Sequence, residues 1–167
     1  MSMPGSGSLA PIALKRDEGD ALWAFGGLAV VKASSDATDG RVFVVEQLAP
    51  RGAGSPLHVH HREDETFYVL AGRLTLFVGG ERIELAAGEC ANAPMGVPHV
   101  YRVDSPTARW LAICGPAGFD RFLIAASDPA PAEALPPADA PVDLERVGAA
   151  AAAAGIELLG PPGALPE

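Results

Sequence analysis

Three of the chain's four histidines fall in one stretch, PLHVHHREDETFYVLAG, residues 56 to 72, together with three acids. His58 and His60 stand two residues apart, beside a proline and β-branched neighbours that favour an extended chain. On a strand such side chains share a face, whereas on a helix they would diverge by about 200°. Two imidazoles on one face form a natural pair of cis ligands for a cation, with bonds of ~2.0 to 2.2 Å. A pair needs further donors. Glu65 opens the next extended segment, and a turn over residues 61 to 64 can fold it back beside the pair; His99, in GVPHVY, is the remaining histidine. Acid–base work and a merely solvated charged face compete as readings of the same residues, and an HxH pair alone does not separate them.

The wider spacing does. Gly52 is followed after five residues by His58-x-His60, after four by Glu65 and after six by Gly72. Fifteen residues later Gly88 leads after five to Pro94-x-Gly96 and after two more to His99. This resembles the paired motifs of the cupin superfamily, G-x5-HxH-x3,4-E-x6-G and G-x5-PxG-x2-H-x3-N. The final asparagine is the one departure, being Val103 here. The segments GDALWAFGGLAVVKASSDATDG and GPAGFDRFL add a looser likeness to single-cupin proteins that include bacterial quercetin dioxygenases.

The resemblance implies an all-β fold: a single cupin barrel, that is, a double-stranded β-helix or jelly roll, with short C-terminal helices. It implies one divalent transition metal held by His58, His60, Glu65 and His99, with iron, manganese, nickel, cobalt, copper and zinc all compatible with such donors. It further implies a dioxygenase in which an enolisable hydroxy-ketone and dioxygen are the partners and Glu65 is both ligand and catalytic base. Strand parity puts Phe67 and Val69 on the face of Glu65, and Tyr101 and Val103 on that of His99, as candidate pocket lining. His61, Arg62, Glu63 and Asp64 read as a charged turn in solvent. Two other classes stay open: a redox-neutral isomerase, cyclase or decarboxylase, and a small-metabolite binding protein without turnover. A metal-free sugar-nucleotide epimerase is disfavoured by the HxH-x4-E string.

The elements that must position these residues are short. From Pro11 to Gly115, alternating segments such as RVFVVEQLA, ETFYVLA and RLTLFVG are cut by glycine turns, the pattern of an antiparallel barrel or sandwich. Gly79-Gly80 predicts a tight hairpin between RLTLFV and ERIEL. GFDRFLIAAS places Phe119, Phe122, Leu123 and Ala126 on one helical face. The Pro/Ala-rich run at 128 to 141 should not pair as a strand, and Asp143 and Gly155 bracket a second helix as N-cap and stop. The chain thus divides into a disordered start (1–9), a barrel with its following helix (10–127), and a strap with a helix packed on the barrel (128–167).

Composition bounds the partners. A formal charge of −9 with no basic run argues against nucleic acid. No stretch approaches the ~20 apolar residues of a membrane span. Cys90 and Cys114, both in apolar segments without CxxC spacing, read as buried free thiols and suit a reducing cytoplasm. An open strand edge within residues 11 to 34 would invite a homodimer.

Overall fold

The computed structural model describes residues 10–161 and 165–166. The expectation of a disordered start at 1–9 lies outside the described residues.

The chain runs β1 (Asp20–Ala24), β2 (Gly27–Ala33), a one-turn helix α1 (Ser35–Thr38), β3 (Phe43–Pro50), β4 (His58–His60) and β5 (Asp64–Ala71). It continues through β6 (Arg73–Val78), β7 (Glu81–Ala86), β8 (Cys90–Ala93), β9 (His99–Val103) and β10 (Thr107–Gly115). Then come α2 (Phe119–Ala126), β11 (Asp128–Pro129), α3 (Leu144–Ala154) and β12 (Ile156–Leu158). Among the described residues the strands form two antiparallel sheets, ordered β11-β1-β2-β3-β10-β5-β8 and β12-β4-β9-β6-β7. The fold is all-β, as the glycine-punctuated alternation predicts, and it takes the jelly-roll form that the motif resemblance implies.

Period-two alternation is visible in β5, where Glu65, Phe67 and Val69 are buried while Asp64, Tyr68 and Leu70 are exposed. One apolar cluster, with Phe67, Val69, Leu74, Leu76, Tyr101, Val103 and Trp110, fills the barrel interior. A second joins Phe43, Val45 and Cys114 to Phe119, Phe122 and Leu123 of α2 and to Val147 and Ile156. The apolar face foreseen for α2 is thus the one it buries. Helix α3 has both expected ends: the Asp143 side chain accepts from the Arg146 N–H, and Gly155 closes it with φ of 74°.

Gly79 and Gly80 take φ of 59° and 89° in the β6–β7 hairpin, as a primed turn requires. Gly72 answers a different constraint. Besides φ of 80°, a Cβ there would lie 2.4 Å from the Thr107 carbonyl oxygen and 2.8 Å from the Ala108 Cα. No side chain fits between β5 and the start of β10.

Two expectations are corrected. Residues 128 and 129 do pair with β1, at Trp23 and Leu22; this works because Pro129 sits at an outer edge and the neighbouring Ala130 N–H supplies the bond to the Ala21 carbonyl. That pairing, and the Trp23 indole N–H donating to the Ala134 carbonyl, cover part of the β1 edge. Cys90 is exposed, since it begins a short outer strand, whereas Cys114 is buried. One element was not foreseen: β12, only three residues long, pairs along the whole of β4.

Gly72→Ala should therefore cost about 2 to 4 kcal/mol, combining overpacking with a strained φ. Gly80→Ala, whose Cβ meets nothing within 4 Å, should cost about 1 kcal/mol. Urea unfolding of the two variants checks the difference; equal losses would contradict it.

Candidate metal centre

The four residues implied as ligands come from both sheets. β4 carries His58 and His60, β9 places His99 directly opposite His58, and β5 delivers Glu65 from the facing sheet. The loop before His99 is fastened to the HxH strand and to the start of β5: the Gly96 N–H donates to the His60 carbonyl at 2.8 Å, and the Met95 N–H to Asp64 Oδ1 at 2.7 Å. All four side chains are buried, and one donor atom from each lies within 4.8 Å of every other.

What aims them is the far side of each ring. His58 Nδ1 lies 2.8 Å from the Pro56 carbonyl oxygen, His99 Nδ1 lies 3.0 Å from that of Val97, and His60 Nδ1 lies 2.6 Å from Glu63 Oε1. Each of these oxygens can only accept, so each Nδ1 carries the hydrogen and each Nε2 is left as the inward donor. The Nε2 atoms of His58 and His60 are 3.1 Å apart, and Glu65 Oε2 lies 3.9, 3.2 and 3.0 Å from those of His58, His60 and His99. Two donors ~2.1 Å from one ion stand roughly 3.0 Å apart at a right angle and roughly 3.4 Å apart in a tetrahedron. The donor set fits a divalent transition ion in both chemistry and spacing.

Electrostatics agree. Burial opposes the charge of Glu65, yet the three imidazoles hold its carboxyl well below the usual carboxylate range. Burial pulls His58 down from the ordinary 6.5. It opposes charge on His60 too, but the carboxylates of Glu63 and Glu65 outweigh it and raise that ring to about 9. Three lone pairs cannot face one another unaided. When no ion is bound, a proton on His60 fills the role of the cation.

The remaining expectations divide. Tyr101 lines a small cavity above the donors with Phe25, Gln47, Phe119, Phe122 and Ile156. Phe67, Val69 and Val103 instead lie in the closed interior below, with Phe67 edge-on to His99 at 6.4 Å between ring centroids. Parity fixed their face but not their depth, and an interior this narrow is filled by its own side chains. His61 is exposed and pairs with Glu157 of β12 at 2.9 Å, and Arg62 and Asp64 are exposed as expected. Glu63 is the exception: it is 2% exposed, because the turn after β4 directs it back onto His60. Its three-residue offset from His60 was the only hint. The cavity wall from α2 and β12 carried no signal, since those residues read simply as packing.

Residues 44–114 match the family described as a cupin domain. The quercetin 2,3-dioxygenase of Bacillus subtilis is 33% identical over 119 residues, covering 71% of this chain and 35% of that protein. An RmlC-like cupin from Shewanella frigidimarina superposes with a TM-score of 0.53 at 20% identity, covering 63% of this chain and 88% of the other. A predicted oxalate decarboxylase from Thermotoga maritima gives a TM-score of 0.55 at 18% identity, covering 64% and 99%. At these identities the two structures speak for the fold alone. Fold, motifs and donor cluster agree, and the chain belongs to the cupin superfamily. It spans about a third of the length of its first curated relatives, 35% and 33%. Among the described residues no helix is long and apolar enough to cross a membrane.

If an ion displaces the His60 proton, zinc uptake at pH 7.5 should release about one proton. Apparent affinity should rise about tenfold per pH unit until about pH 9, the value to which His60 is raised. Calorimetry in buffers of different ionisation enthalpy checks this; uptake without proton release would contradict it. Because the folded value exceeds 6.5, the protonated ring stabilises the metal-free fold below pH 6.5, and that contribution is lost as pH rises through about 9.

Proposed function

We propose that this chain is a metal-dependent cupin enzyme, and that its reaction is a dioxygenation of an enolisable hydroxy-ketone of the flavonol type or smaller. The observation that carries the reading is the convergence of three imidazole Nε2 atoms and one carboxylate oxygen beneath an apolar cavity. Likeness to a quercetin 2,3-dioxygenase over 71% of the chain supports the choice of reaction. His58, His60, Glu65 and His99 would hold the ion. Three neutral nitrogens and one carboxylate leave a divalent ion about one net positive charge, supplying Lewis acidity toward a chelating enol and redox access to dioxygen.

The protein's own groups divide the remaining work. Phe25, Phe119, Phe122, Leu123 and Ile156 exclude water from the space above the donors. Burial, aided by the Glu65 charge, pushes the Tyr101 phenol well above its ordinary range, so it stays protonated. Its hydroxyl donates to Gln47 Oε1 at 3.4 Å, a long bond that leaves it free to turn toward a substrate carbonyl. Glu65 is the candidate base. A carboxylate held so far down takes up a proton only after shifting Oε2 away from at least one imidazole.

One observation favours a second reading. The cavity is small, about 40 Å³, room for a few waters and far short of a flavonol. Anything of flavonol size requires α2 or β12 to move, whereas a small acid or ketone needs less. A redox-neutral isomerisation, cyclisation or decarboxylation of such a substrate is therefore the alternative, followed by binding without turnover. The partners we propose are a small-molecule substrate and a second copy of the chain, with no role for nucleic acid or membrane, and a cytoplasmic setting.

An oxygen electrode decides between them. Protein loaded in turn with each first-row divalent metal should consume oxygen with a flavonol or a small diketone, and Glu65→Ala should lower turnover by roughly a hundredfold or more. Product formed equally well without oxygen supports the redox-neutral reading. Saturable binding with no product would overturn both.

A further inference from the structure

Glu63 lies outside the set of four donors, yet it is the most deeply buried charged group of the turn that joins β4 to β5. It is 2% exposed, while His61, Arg62 and Asp64 around it are exposed. Its Oε1 accepts from His60 Nδ1 at 2.6 Å, and that imidazole is its partner in the ion pairs of the described residues. Burying a carboxylate against a single partner is a poor way to stabilise a turn, because the desolvation cost rivals the attraction.

The three histidines make the contrast internal to the site. His58 and His99 donate to carbonyl oxygens two residues before them, so their orientation comes from the backbone that leads into their own strands. His60 has no such carbonyl partner and receives a full negative charge instead. Its ring is held on its other sides by Phe119, edge-on with centroids 4.9 Å apart, and by His99, stacked at 5.3 Å. A carboxylate on the far nitrogen fixes the tautomer and makes the near nitrogen a more electron-rich donor than a carbonyl can.

We propose that Glu63 is a positioning residue that orients His60 and makes it the strongest of the three nitrogen donors, thereby setting the affinity of the site for its ion. This rests on the reading of His58, His60, Glu65 and His99 as a metal centre. Glu63 touches neither the ion nor the substrate in this account. It acts through one imidazole.

The test titrates the full chain and two variants with zinc and cobalt against a chromophoric chelator, alongside melting temperatures of the metal-free proteins. Glu63→Leu keeps the bulk and removes the acceptor, and should weaken zinc binding about 10- to 100-fold. Glu63→Gln keeps an accepting oxygen without the charge, and should weaken it by about two- to tenfold with an altered visible spectrum of the cobalt form. The graded order from wild type through glutamine to leucine, independent of melting temperature, is what a purely structural role would not produce. Wild-type binding with both variants within twofold of it overturns the role of Glu63 and leaves the metal centre standing; so does a glutamine variant as weak as the leucine one. A wild-type chain that takes up neither metal overturns both. Should Glu63→Leu fail to fold, an unchanged affinity in Glu63→Gln is enough to reject the proposal.

Discussion

Three hydrogen bonds made on the outer edges of three imidazole rings organise this protein. Each Nδ1 is occupied by an oxygen that can only accept, and each Nε2 is thereby turned inward onto one oxygen of Glu65. Such an arrangement is unfavourable by itself, since lone pairs face lone pairs around a buried carboxylate. A positive charge at the centre resolves it. The raised proton affinity of His60 and the depressed one of Glu65 express the same demand from opposite sides.

The barrel exists around that demand. Histidines from β4 and β9 and the glutamate from β5 meet only because two sheets face each other at the distance their core sets. Apolar clusters lie on both sides of the donors: Phe67 below against His99, and Phe119 above against His60. These walls keep water from solvating the carboxylate, which strengthens every charge interaction inside. The upper wall comes from α2 and β12, far along the chain from the motifs, so the residues that define the centre and those that would define its substrate belong to different parts of the sequence.

Much of the centre was legible in the sequence because its rules are local. Parity along a strand put His58 with His60 and Glu65 with Phe67, while the joining of Glu65 and His99 to that pair was implied by the resemblance of the glycine and Pro94-Met95-Gly96 spacing to the cupin motifs. Gly79-Gly80 and the ends of α3 followed from turn and cap chemistry. What stayed hidden depends on partners remote in sequence. Glu63 looked solvated because a charged turn says nothing about which member folds inward. β12 gave no alternation, being three residues long, yet it covers the histidine strand. Phe67, Val69 and Val103 had the right face but the wrong depth, since parity measures direction and not distance from the mouth.

The central claim is that the four inward atoms bind one divalent ion. Crystals of protein loaded with a single equivalent of a first-row metal, measured above and below its absorption edge, test it most directly. The account predicts one anomalous peak within bonding distance of the Nε2 atoms of His58, His60 and His99 and of a Glu65 carboxylate oxygen. A peak elsewhere, or full loading with no peak among these atoms, would contradict it.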